Sequence, residues 1–193
     1  MRSSILVCLC LLPSCGPPQV SSEESARRAF LGLDRSVGKS ITLGFAGFNA
    51  ATSANIPTQM GTGDDGGTLT ITGKVDQGAS ANKGMRLDVA MAGYSDGLIS
   101  FDGGTVKVVY ATTTPPPALT LQLKNIPNGT YDGTLVGAYQ MSGDLTGTVQ
   151  LNLAMSGTIE DDGTGKVRRK AGTTTVTGTA TAASGTYQVN LTQ

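Results

Sequence analysis

From Ser40 to the end of the chain, apolar residues recur at every second position. Leu69, Ile71 and Val75 share one register, and Met85, Leu87, Val89 and Met91 share another. The pattern continues through Val106, Val108 and Tyr110, then Leu119, Leu121 and Leu123, then Tyr131, Leu135, Tyr139 and Met141. Val149, Leu151, Leu153, Met155 and Ile159 form the longest run, followed by Val176 and by Tyr187, Val189 and Leu191. A period of two places one face of each strand in a core and the other in water. Turn-forming pairs separate the runs: Asp64-Asp65-Gly66-Gly67, Asp96-Gly97, Asp102-Gly103-Gly104, Asn128-Gly129, Ser142-Gly143-Asp144 and Asp162-Gly163. These residues tolerate the positive φ of tight hairpins.

This predicts an all-β fold: an antiparallel meander of about 8–9 strands over 40–193, with Ser40–Asn49 as an added first strand. Gly73, Gly93, Gly137, Gly157 and Gly178 fall in the apolar register of their strands. A missing inward side chain lets a sheet bend or another backbone approach. They favour a curled sheet or small barrel over the alternative, a β-sandwich. Leu87–Gly93 matches Leu151–Gly157 at an offset of 64, which suggests two four-strand repeats, 67–125 and 133–192. Coincidence between Thr/Gly-rich strands is the competing explanation. Thr112–Pro117 (TTTPPP) reads as a stiff loop inside the first unit.

One segment has helical spacing instead. Ala26, Phe30, Leu33 and Val37 make a single stripe, Ser21 and Glu24 have capping-box spacing, and Gly38 is a plausible stop. The expectation is one short amphipathic helix over 21–38, packing its Phe30 stripe on the sheet.

The first residues have a different character. Arg2 precedes the unbroken apolar run Ile5–Leu12, too short to span a bilayer that needs roughly 20 residues, and Leu12-Pro13-Ser14-Cys15-Gly16 closes it. A charged start, an apolar core and small residues make a secretory signal over 1–14. Leu12-Pro13-Ser14-Cys15 resembles the lipobox of bacterial lipoproteins, departing from it in Pro13 where Ala, Ser or Thr is usual. The resemblance implies a lipid-modified, palmitate-bearing Cys15 at the head of a tether over 15–20. Gly16, not aspartate, follows Cys15, which under the same resemblance implies the outer membrane. The strand-rich remainder is similar in texture to Thr/Gly-rich bacterial lipoproteins, a likeness that transfers no functional residues.

Composition narrows the chemistry. The chain has no histidine and no tryptophan, and its three cysteines are Cys8, Cys10 and Cys15. Ser-His-Asp and Cys-His nucleophile systems, His-based zinc sites and redox CxxC pairs therefore lack their parts. Charges balance at 14 Lys+Arg against 14 Asp+Glu, and no basic stripe with aromatics points to nucleic acid. Asp64-Asp65 and Glu160-Asp161-Asp162 are the dense acidic clusters. Such glycine-containing loops can supply calcium oxygens, although hairpin turns use the same residues and the EF-hand spacing is missing. Either cluster could hold a glycosidase carboxylate. Beside the second lies Lys166-Val167-Arg168-Arg169-Lys170, read as a solvated loop in preference to a phosphate or headgroup site.

The sequence thus leads to a non-enzymatic envelope lipoprotein, attached to the membrane through Cys15, whose β domain is a binding or interaction module without a cofactor. A carrier of an apolar ligand or lipid inside the curled sheet is the second reading, and a carboxylate-based hydrolase the third. A membrane-spanning barrel is disfavoured by the scarcity of aromatics for interfacial girdles.

Overall fold

The computed structural model describes residues 22–101 and 103–193. The signal segment, the tether, Ser21, Cys15 and Asp102 lie outside the described residues. Two helices, α1 (Ser22–Leu31) and α2 (Asp34–Ala50), precede eleven strands. The strands are β1 (Gln59–Thr62), β2 (Gly66–Val75), β3 (Lys83–Ser95), β4 (Leu98–Phe101), β5 (Gly104–Ala111) and β6 (Ala118–Lys124). They continue with β7 (Gly129–Gly143), β8 (Gly147–Asp161), β9 (Val167–Arg169), β10 (Thr175–Ala182) and β11 (Gly185–Thr192).

All eleven belong to one antiparallel sheet that follows chain order. Two pairs of strands share a lane. β5 and β6 lie end to end between β3 and β7, and β9 and β10 lie end to end along β8. Thr112–Pro117 is the loop that interrupts the first of these lanes. Its ends keep the ladder going, since Thr112 donates its N–H to Met91 O at 3.0 Å and Val89 donates to Pro117 O at 2.8 Å. With β4 folded back on β5 as a hairpin stub, the meander has eight staves, in line with the sequence reading. Curling brings Phe30, Ile41, Leu69, Leu87, Leu121, Leu135, Leu153 and Val189 into one core. The edge strands β1 and β11 do not pair with each other, so the curled sheet is not a closed barrel.

The helical region corrects two expectations. Residues 40–49 are not a strand, and the helix expected over 21–38 is two helices broken at Gly32–Leu33. Ile41, Leu43 and Phe45 alternate, but Val37, Ile41, Gly44, Phe45 and Phe48 also recur at helical spacing, and the helix wins. The reason is burial. Ser36, Val37, Gly38, Ser40, Ile41, Gly44, Phe45 and Gly47 are all buried, leaving Arg35, Thr42, Ala46 and Ala50 as a narrow solvent stripe. Gly38 does not stop the helix. It lets Arg169 and Gln193 lie against α2, where a Cβ would sit 2.7 Å from Gln193 Oε1.

α1 lies across one mouth of the sheet, from Ser22 beside Gly185 to Arg28, whose guanidinium stacks 3.4 Å from the Phe101 ring centroid. Tyr110 pins its end by donating to Ala29 O at 2.8 Å, and Gly32 leaves the room its phenol needs. α2 then runs to the other end, touching β1, β2 and β3 on one side and β9 on the other. There Asn49 donates to Val167 O at 2.8 Å and accepts from Val167 N at 3.0 Å. Helix α2 therefore fills the gap between the β1 edge and β9, while α1 packs on the β11 edge.

The outward face is polar. Gln150, Asn152 and Ser156 on β8 and Thr175, Thr177 and Thr181 on β10 are exposed, and the exposed large hydrophobics are scattered: Met60, Leu98 and Val136. A lipid-facing barrel needs the opposite arrangement, an apolar band outside.

The five marked glycines do not act alike, and the two halves are not equivalent. Gly157 faces inward opposite Tyr131, whose ring covers it so closely that a Cβ would lie 2.7 Å from Cε1. Gly93, its partner in the sequence match, is exposed at φ +60°, with open space around its Cβ direction. It sits where the β2–β3 register shifts, and the extra residue turns Tyr94 inward. Pairing differs too: Leu119, Leu121 and Leu123 of β6 match Tyr187, Val189 and Leu191 of β11 at an offset of 68, yet β6 pairs with β3 and β7 and β11 with β10.

Gly157→Val should lower stability by about 1–3 kcal/mol through overpacking. Gly93→Val should cost about as much through backbone strain, since a β-branched residue resists positive φ. Asparagine separates the causes: Gly93→Asn should be nearly neutral and Gly157→Asn should not. Thermal or urea unfolding of the four variants checks this, and a raised melting temperature for both valine variants would contradict the curled architecture.

Candidate functional site

The acidic clusters fall in separate turns. Asp64 and Asp65 occupy the β1–β2 turn. Asp64 pairs with Arg35 at 3.0 Å and Lys39 at 2.9 Å, and Asp65 pairs with Lys107 at 2.6 Å. Hydrogen bonds from Lys39 and Lys107 respectively hold these carboxyls below their usual range. Across the sheet, Glu160 pairs with Arg168 at 2.9 Å. Asp161 accepts the Gly163 N–H at 2.6 Å and Asp162 accepts Thr164 N–H at 2.8 Å, each closing its own loop. Among the described residues, no group of three His, Cys, Asp or Glu is placed to hold a metal ion.

The densest polar cluster centres on Lys39, which the sequence reading did not single out. Its Nζ donates to Asp96 at 2.6 Å and to Asp64 at 2.9 Å, with Thr62 O at 3.3 Å. Asp96 also accepts the Tyr94 hydroxyl at 2.7 Å and the Asp64 N–H at 3.0 Å. Burial works against the charged lysine, but its bonds to Asp96 and Asp64 outweigh it and raise the Lys39 pKa. Two carboxylates do converge here, as a hydrolase would require. They converge on the Lys39 ammonium, with Arg35 supplying the second positive charge at Asp64, which makes the cluster a clasp between α2 and two hairpin turns.

Burial also raises the pKa values of Tyr94, Tyr110, Tyr131 and Tyr139. A raised folded-state pKa means stability that is complete below the unfolded value and lost as pH climbs past it. For tyrosine and lysine those unfolded values are about 10 and 10.4.

Along the solvent stripe of α2 runs a groove of about 610 Å³, bounded by Gly38, Leu43, Gly61, Arg169 and Gln193. A smaller depression of about 310 Å³ continues it between Thr42, Asn49 and β9. The basic run splits here. Val167 enters the core, Arg168 goes to Glu160, and Arg169 turns to the groove. Arg169 Nη1 bonds only neutral acceptors, Gln193 Oε1 at 3.2 Å and Thr174 Oγ1 at 3.4 Å. Its place in a run of five was visible in the sequence; its difference from Arg168 was not, because that depends on strand register.

Comparison with known proteins returned no matching family model, no matching curated protein and no matching solved structure.

The clasp yields two expectations. Lys39→Met should destabilise by about 2 kcal/mol, because Asp96 is left buried without its cation. Arg35→Met, which removes an exposed pair, should cost less than about 1 kcal/mol. Stability measured against pH should fall steadily above about pH 10, and a flat profile to pH 12 would contradict the buried-tyrosine and lysine assignments.

Proposed function

We propose that the chain is a bacterial envelope lipoprotein, anchored to the outer membrane through Cys15, whose β domain is a non-enzymatic interaction module. The observation that carries this is Leu12-Pro13-Ser14-Cys15 at the end of a short apolar run, seven residues before α1 begins at Ser22. The structure supports it in two ways. First, the outward face is polar, so a membrane attachment has to come from outside the sheet. Second, Ser22 lies beside Gly185 at the mouth capped by α1, so seven residues of roughly 3.5 Å each would hold that mouth close to the bilayer. No helix among the described residues is long and apolar enough to cross a membrane. Lipid on Cys15 would supply the anchor instead, since each buried CH₂ contributes about 0.8 kcal/mol and more than one acyl chain makes attachment stable.

The non-enzymatic part rests on chemistry. Histidine is absent, and the dense carboxylates are committed to cations or to their own turns. The reading of an apolar ligand held inside the sheet has no observation in its favour, because Phe30, Leu33, Ile41 and Phe45 of the two helices fill that space.

Expressed in a bacterial host with labelled palmitate, the native chain should take up label and fractionate with membranes. Cys15→Ser should lose the label and become soluble. Continued labelling and membrane fractionation of Cys15→Ser would defeat the proposal.

A further inference from the structure

The groove along α2 combines an apolar floor with one cation that has no acidic partner. Leu43 and Gly61 form the floor, where a Cβ on Gly61 would already touch Leu43 Cδ1 at 3.2 Å, and Gly38 lies beneath Gln193 and Arg169. Of its three basic residues, Arg35 and Lys39 are paired with Asp64 and Asp96. Arg169 is different. Among the described residues its guanidinium bonds the neutral acceptors Thr174 and Gln193 through Nη1 and lies beside the Tyr131 hydroxyl, so no carboxylate holds it. The acid on the lining, Asp34, is turned to the Arg35 backbone N–H at the start of α2. At about 610 Å³ the space is of the size that holds a small organic ligand.

We propose that this groove binds a free long-chain fatty acid. Its carboxylate would sit on the Arg169 guanidinium, and its alkyl chain would lie along Thr42, Leu43 and Gly61. A carboxylate matches the fork in a bidentate geometry that a hydroxyl cannot make. This goes beyond the anchored-module reading and does not depend on it.

The test uses the full chain carrying Cys15→Ser, which has no acyl group of its own at that position to compete. Fluorescent parinaric acid should bind saturably at one site and be displaced by palmitate, with hexadecanol at least about tenfold weaker. Arg169→Gln should weaken palmitate by about tenfold or more and leave hexadecanol unchanged, and Arg169→Lys, which keeps the charge but not the fork, should restore only part of the loss. Thr42→Trp, at an exposed position on the groove wall, should block both ligands while keeping the melting temperature. The proposal is overturned by any of three results: no saturable uptake, palmitate affinity unchanged in both Arg169→Gln and Thr42→Trp, or binding to phospholipid vesicles without binding of the free acid.

Discussion

A curled sheet whose edges do not meet must cover its opening, and here two helices do so, α1 on the β11 edge and α2 over the rest. α2 lies between β1–β3 on one side and β9 on the other. Only a helix apolar around most of its circumference can take that place, because it meets sheet on both flanks and core beneath. Glycine and serine at positions 36, 38, 40, 44 and 47 let the surrounding strands come close. At Gly44 the approach is such that a Cβ would meet Leu87 Cδ1 at 2.8 Å. Much else follows from this seating. The Lys39 clasp holds one end to the hairpin turns, the Asn49–Val167 pair holds the other, and the groove is the seam left between helix and sheet.

The strands were legible because each buries one face. The alternation at Leu119, Leu121 and Leu123, or along Val149 to Ile159, has one physical reading, and the stave count followed from it, while the curl was read from the glycines in the apolar register. The opening helix was illegible for a related reason. A segment buried nearly all round has no polar face to set its period, so Ile41, Leu43 and Phe45 looked like a strand. Gly38 read as a stop because a glycine's close approach is invisible until its neighbour, Arg169, is placed 131 residues later. Gly93 failed differently: a one-residue register shift moved it from the inner face to the outer.

The polar network was the least readable part. Asp64 was visible as part of an acidic cluster, but its partners Arg35 and Lys39 come from a helix that the sequence placed partly in a strand. Seen in place, the acids pin turns to helices and leave Arg169 as the group on the groove without a carboxylate. Ser22 lies beside Gly185 at the α1 mouth, and the groove follows α2 away from it.

The central claim is that α2 is part of the closed core and not an appendage to a self-sufficient sheet. Native-state hydrogen exchange tests it most directly. The buried amides of Ile41 to Phe45 should exchange only through global unfolding, with the same free energy as those of β7 and β8. Exchange of α2 through a separate, lower-energy opening, with β1 to β3 still protected, would contradict the account.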